Sequence, residues 1–206
     1  MNFLLHLHLS GDDPEILTGN LMGDFVKGRV GDEYPTRLRS GIVLHRRIDS
    51  FAQNHPLFRA SRERIEPHYG LWRGVLVDLF YDHFLATGWE EWSPEPFDLY
   101  LERAREMVET NRRWLPERMQ GLLPVIFGDL IPSYREVEGI GRALERMSRR
   151  VRRPSPLAGG ERELLRCYAG LGEDFRDFMP EARAFVAGFL RTNGFDNKAV
   201  SSHKGT

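Results

Sequence analysis

From Gly74 to Ala86 the chain reads Gly74-Val-Leu-Val-Asp78-Leu-Phe-Tyr-Asp82-His83-Phe-Leu-Ala86, apolar on nearly every side of a helical projection. A helix of that kind belongs in a protein interior. Its three ionisable groups then need partners, because an unpaired buried carboxylate costs several kcal/mol. Elsewhere apolar positions recur at helical spacing. Asp13 caps and Pro14 opens a helix expected over residues 14–27, which Gly28 ends. Further helices are expected over 35–54, before His55-Pro56, over a short stretch to Glu66, and over 71–87. Leu99, Leu101, Met107 and Val108 mark another over 97–114. Pro124, Gly128 and Pro132 break the middle of the chain into short pieces. The remaining expected helices cover 134–151, 161–178 and 180–190, with a flexible turn at 154–160. No alternating strand pattern persists. The chain therefore reads as all-α: a single compact domain of roughly eight to ten helices over 1–195. Residues 196–206 read as a flexible tail or expression remnant, so His203 takes no part in a site.

Composition narrows the function classes. With 41% hydrophobic and 29% charged residues, the 206-residue chain has the make-up of a soluble globular protein. A formal net charge of -1 gives no global attraction to nucleic acid. The single cysteine, Cys167, rules out a disulfide framework and suits a reducing cytoplasm. There is no apolar run long enough to span a membrane, no signal-peptide pattern at the start, no phosphate-binding glycine loop and no zinc-like pair of cysteines.

The candidate chemistry lies in the first half. His6 and His8 stand two apart, so on a helix they diverge by ~200° and only one can readily face a given interior point. Asn20 and Asp24 share a face, flanked by Gly19 and Gly23, which suggests close packing there. His45 and Asp49 are also four apart and share the sector of Leu38, Ile42 and Ala52. That spacing lets one helix supply two metal ligands, or hold a buried His–Asp hydrogen bond. Asp78 and Asp82 share a face, while His83 points ~140° from Asp78. Carboxylates outnumber histidines in this set, and a divalent cation offsets the surplus charge. The oxygen-rich donors favour Mn²⁺, with Mg²⁺ possible, over zinc.

Four blocks carry a resemblance. They are Met-Asn-Phe-Leu-x-His-Leu-His-Leu at the start, Gly19-Asn20-Leu21-Met-Gly23-Asp24-Phe25-Val26, Gly41-Ile42-x-x-His45-Arg46-Arg47-Ile48-Asp49, and Asp78-x-x-x-Asp82-His83-Phe84-Leu85. In this order and spacing, over positions 1–85, they resemble the acyl carrier protein phosphodiesterases, also called acyl carrier protein hydrolases. The resemblance implies a helical relative of the HD-type metal phosphohydrolases. It implies manganese-dependent hydrolysis of holo-acyl carrier protein to the apo-protein and 4'-phosphopantetheine. Carried over by motif, His6, Asp24, His45, Asp49 and Asp82 become metal ligands, and Asp24, His83 and Asn20 catalytic candidates. Asp78 is assigned to orienting a histidine. Family members often have Thr-Asp where this chain has Ala52-Gln53, and Gln53 cannot balance charge, which leaves one metal or two open.

Acyl carrier proteins are small and acidic, and the chain concentrates cations at Arg142, Arg146, Arg149, Arg150, Arg152 and Arg153. Arg146, Arg149, Arg150 and Arg153, with Arg46 and Arg47, are the expected partner or phosphate contacts. Holo-acyl carrier protein is the expected partner, with no nucleic acid and no membrane, in the cytoplasm. Two other readings compete: a metal phosphohydrolase acting on a nucleotide, and a non-catalytic helical module that binds an acidic protein.

Overall fold

A computed structural model describes residues 3–150 and 154–195. Arg152, Arg153 and the 196–206 segment lie outside the described residues. Among those described there is no strand, in agreement with the all-α expectation. The first half contains α1 (Phe3–Leu9), α2 (Pro14–Leu21), a 3-10 turn (Gly23–Phe25), α3 (Thr36–Asn54), α4 (Pro56–Arg64) and α5 (Trp72–Thr87). After α6 (Trp89–Trp92) and α7 (Phe97–Thr110), the proline-rich stretch is broken as expected. It forms α8 (Glu117–Gln120), α9 (Leu123–Val125), a π-turn (Ile126–Leu130) and α10 (Ile131–Ser133). Helices α11 (Val137–Arg150), α12 (Glu161–Arg166) and α13 (Tyr168–Thr192) complete the fold.

Several boundaries differ from expectation: the helix expected over 97–114 ends at Thr110, and the one expected over 161–178 breaks at Cys167 into α12 and α13. The helix opened by Asp13, whose carboxylate accepts from the Glu15 and Ile16 amides, ends at Leu21 and tightens into the 3-10 turn instead of reaching Lys27. At the other end Pro180 sits inside α13 rather than starting a new helix. Proline removes one backbone hydrogen bond, but Phe175, Phe178, Met179, Ala182 and Val186 bury one continuous face across it, and that packing holds the helix together.

Helix α5 is the core element, buried from Leu76 to Ala86 except at Asp78. It packs against α1, α4, α11 and α13. Helices α2 and α3 form the tightest pair. A Cβ on Gly19 would lie 2.0 Å from the Leu38 carbonyl oxygen, and one on Gly41 would lie 2.2 Å from that of Ile16, so these glycines let the two backbones touch. Helix α1 bridges α2 and α5. The seam where α1, α2 and α3 meet therefore collects side chains from every block singled out in the first fifty residues.

Candidate metal centre

His6, on α1, is 2% exposed and its orientation is set by Asn20 on α2. The Asn20 amide nitrogen donates to the His6 carbonyl at 3.0 Å and to Ser10 Oγ at 2.8 Å. Since a carbonyl only accepts, the amide is fixed with its Oδ1 facing His6 Nδ1, 2.7 Å away. Nδ1 therefore carries the ring proton, and in the neutral ring Nε2 presents a lone pair. Burial, and then the charge of nearby His45, lowers the His6 pKa, which keeps the ring in its neutral, metal-binding form. Asn20 is thus a positioning residue, fully buried behind His6, and not the catalytic group expected. Ser10 had no signal in the sequence beyond its place four residues after His6.

The His6 and His45 rings stack with centroids 4.1 Å apart. His45 fits because Gly23 has no side chain: a Cβ there would lie 2.2 Å from His45 Cγ. The 3-10 turn that replaces the end of α2 carries Asp24 to this ring, with Oδ1 3.5 Å from His45 Nε2. Asp49 reaches both rings, at 3.2 Å from His6 Nε2 and 3.4 Å from His45 Nε2. The helical wheel placed Asp49 inward with the core; its side chain is instead half exposed. The histidines form a floor and the two carboxylates a solvent-facing rim. His45 holds the Asp24 carboxyl well below the usual carboxylate range. For Asp49, burial pushes upward, but His6 and then His45 outweigh it and the pKa is lowered. Both rim groups are carboxylates at neutral pH.

Despite these short approaches, His6 Nε2 and both ring nitrogens of His45 are buried without a hydrogen-bond partner. Buried polar atoms of this kind are rare in native proteins. One ligand atom each from His6, His45 and Asp49 lies within 4.8 Å of the others, a separation that metal–ligand bonds of about 2.0–2.2 Å bridge with small side-chain movement. The residues fit a divalent cation.

The α5 residues go elsewhere. Asp82, expected as a ligand, is fully buried and accepts from the Leu4 and Leu5 amides at 3.1 and 2.8 Å. It caps the start of α1, where both its carboxylate oxygens are engaged by those amides. Burial pushes its pKa up to about 7. His83, expected as acid or base, points to the other side of α5. Its Nδ1 donates to the Tyr134 carbonyl at 2.8 Å, which leaves Nε2 to accept from the Tyr168 hydroxyl at 3.1 Å. Asp78 is not among the clustered ligand atoms; burial, with the charges of Asp49 and Asp24 acting the same way, raises its pKa to about 7.

The arginines divide similarly. Arg46 donates to the Val26 carbonyl at 3.0 Å, fastening the strap that follows Asp24, while Arg47 is exposed. Arg146 pairs with Asp129 and Arg149 with Glu145, each at 2.7 Å. Arg142 and Arg150 are exposed on α11.

The family model described as acyl carrier protein phosphodiesterase matches residues 1–182. The chain belongs to that family. Relatives named acyl carrier protein phosphodiesterase include those of Photorhabdus laumondii (32% identical, covering 87% of this chain and 92% of the relative) and Enterobacter sp. strain 638 (34%, 87% and 94%). That of Salmonella agona is 33% identical, covering 91% of this chain and 98% of the relative. No solved structure matches the chain. The matched region contains the whole seam, from His6 to Asp49, together with α11, so family membership and the site refer to the same part of the molecule. No described helix is long and apolar enough to cross a membrane.

Proposed function

We propose that this protein hydrolyses the phosphodiester that joins 4'-phosphopantetheine to a serine of acyl carrier protein, with a divalent cation held by His6, His45, Asp49 and Asp24. The observation that carries the reading is the pair of stacked, buried imidazoles with unpartnered nitrogens beneath two ionised carboxylates, in a chain of this family. Two nitrogen and two carboxylate donors suit Mn²⁺ better than Mg²⁺, which prefers oxygen throughout. When bound, the cation supplies a nucleophilic water at neutral pH and charge neutralisation for the phosphoryl oxygens.

The protein's own groups divide the remaining work. Asn20 keeps the His6 proton on Nδ1, so that Nε2 stays available. Asp24 and Asp49, at the solvent edge, stay ionised and orient water by accepting its hydrogen bonds. Their lowered pKa values make them poor proton donors. Asp78, whose pKa burial raises, is assigned to protonating the leaving serine oxygen. Exposed Arg142 and Arg150 face an acidic carrier and speed its encounter.

The test is incubation of the purified protein with holo-acyl carrier protein and Mn²⁺, read by mass as loss of the phosphopantetheine group. His45→Ala and Asp49→Ala are expected to abolish both the mass loss and stoichiometric metal. Intact holo-carrier after incubation with metal-loaded wild type refutes the reading.

A further inference from the structure

One face of α3 leads from the metal centre to a cation that the proposed chemistry does not use. His45, Asp49 and Gln53 are spaced four apart on this helix, so they form a single row. His45 and Asp49 belong to the centre. Gln53 stands one turn beyond Asp49, about 5.4 Å along the axis, and a helical side chain leans back over the preceding turn. From α4, Arg62 Nη1 donates to Gln53 Oε1 at 3.4 Å. Both side chains meet α5 at Gly74, where a Cβ would lie 3.6 Å from Gln53 Nε2 and 4.0 Å from Arg62 Nε. Arg62 is half-buried, and among the described residues no carboxylate forms an ion pair with it. Arg64, two residues on, is by contrast held by both carboxylate oxygens of Asp174.

Charge says what such a cation can do. A divalent metal ion held by two neutral histidines and two carboxylates makes a centre with no net charge. A phosphodiester brings a negative charge to that centre, and the carboxylates on the rim repel it. A further cation offsets this only if no protein carboxylate already neutralises it. Arg46 is fastened to the Val26 carbonyl and Arg39 is paired with Asp32. Gln53 gives Arg62 a different kind of partner: its amide oxygen accepts from the guanidinium and aims it without cancelling its charge. The rest of the guanidinium fork suits a paired, charge-assisted contact with phosphoryl oxygens.

We propose that Arg62 binds the non-bridging phosphoryl oxygens of the substrate at the edge of the metal centre, and that Gln53 positions it. The proposal rests on the proposed function for the identity of the phosphate ester. The same phosphoryl group remains on the product as the terminal phosphate of 4'-phosphopantetheine, so the product is a ligand for the same contact.

Calorimetric titration of 4'-phosphopantetheine into the protein with Mn²⁺ present reads this contact without turnover. Arg62→Gln is expected to weaken binding about ten- to hundredfold, the size of a charge-assisted contact. Arg62→Lys, which keeps the charge and loses the fork, should fall between that variant and wild type. Gln53→Glu, at an exposed position, leaves Arg62 in place but neutralises it and should weaken binding severalfold; it keeps the test decisive if Arg62→Gln does not fold. Mn²⁺ affinity should not fall in Arg62→Gln, since a nearby cation opposes metal binding. Wild type that does not bind 4'-phosphopantetheine, or an Arg62→Gln or Gln53→Glu variant that binds it as wild type does, overturns the proposal. So does an equal loss in Arg118→Gln, which removes an exposed charge from α8, or a matching loss of Mn²⁺ affinity in Arg62→Gln. Holo-carrier left intact by wild type, with 4'-phosphopantetheine still bound in an Arg62-dependent way, refutes the phosphodiesterase reading and leaves the phosphate contact standing.

Discussion

Asn20→Leu is the most informative single change. Leucine has nearly the shape of asparagine, but it removes the acceptor for the His6 Nδ1 proton and the donor to the His6 carbonyl and Ser10. The carbonyl still accepts from Ser10 Oγ at 2.6 Å, so one buried donor is orphaned, at about 1–3 kcal/mol. The imidazole has an escape. Moving its proton to Nε2 points it at Asp49 Oδ1, 3.2 Å away, and recovers part of that cost. The escape occupies the lone pair that would face the cation. Stability should therefore fall by no more than about 1–3 kcal/mol, while metal affinity falls about ten- to hundredfold, as for other ligand-orienting contacts. Asn20→Asp retains an acceptor at the same place and should keep far more of the affinity. Urea denaturation of the chelated proteins measures the first quantity, and calorimetric Mn²⁺ titration the second. A variant that loses stability yet binds Mn²⁺ like wild type would refute the assignment of His6 Nε2 as a ligand.

Other outcomes follow from the same geometry. Burial lifts Asp82 from 3.8 to about 7, so between those values the native state holds a proton that the unfolded chain has released. This group's contribution is then fully present below its unfolded pKa and is lost as pH rises through 7, by on the order of 4 kcal/mol. Asp82→Asn should flatten that slope in urea midpoints of chelated protein between about pH 5 and about pH 8. A slope equal to wild type would show that Asp82 does not titrate as placed. His83→Phe should cost stability but fall short of the roughly hundredfold loss in kcat expected of a general acid or base; a loss of that size would return His83 to the reaction. Gly41→Ala drives a Cβ into the Ile16 carbonyl and should cost about 2–3 kcal/mol, seen in calorimetry as a Tm lowered by roughly 5–10 °C. Arg150→Glu should raise KM for the acidic carrier and spare a small phosphodiester, and equal effects on both would remove Arg150 from docking.

Much of this protein was legible in its sequence. Caps, prolines and helical spacing located α2 through α5 and the broken middle, because those signals act within a few residues of themselves. The pairing of His45 with Asp49 followed from the 3.6-residue turn alone, and so did the divergence of His6 from His8, which packs against Trp89 and Tyr100 instead. Within one helix, spacing determines angle. It says nothing of which neighbouring helix that angle meets, and there the tertiary structure decided. Asp82 and Asp78 share a face of α5, yet Asp82 caps the first helix through the Leu4 and Leu5 amides instead of joining His6 and His45. Asn20 looked like a polar group awaiting substrate until the amide of one helix was seen to set the tautomer of a histidine on another. Asp24 joined the site only because α2 stops early, and it stops where Gly23 makes room for His45. The sequence by itself determined the helices, the family and the pool of candidate ligands. The approach of α1, α2 and α3 through Gly19, Gly41 and Gly23 brought His6, His45, Asp49 and Asp24 together, because bringing backbones that close leaves few places where buried imidazoles and carboxylates can meet and still reach water.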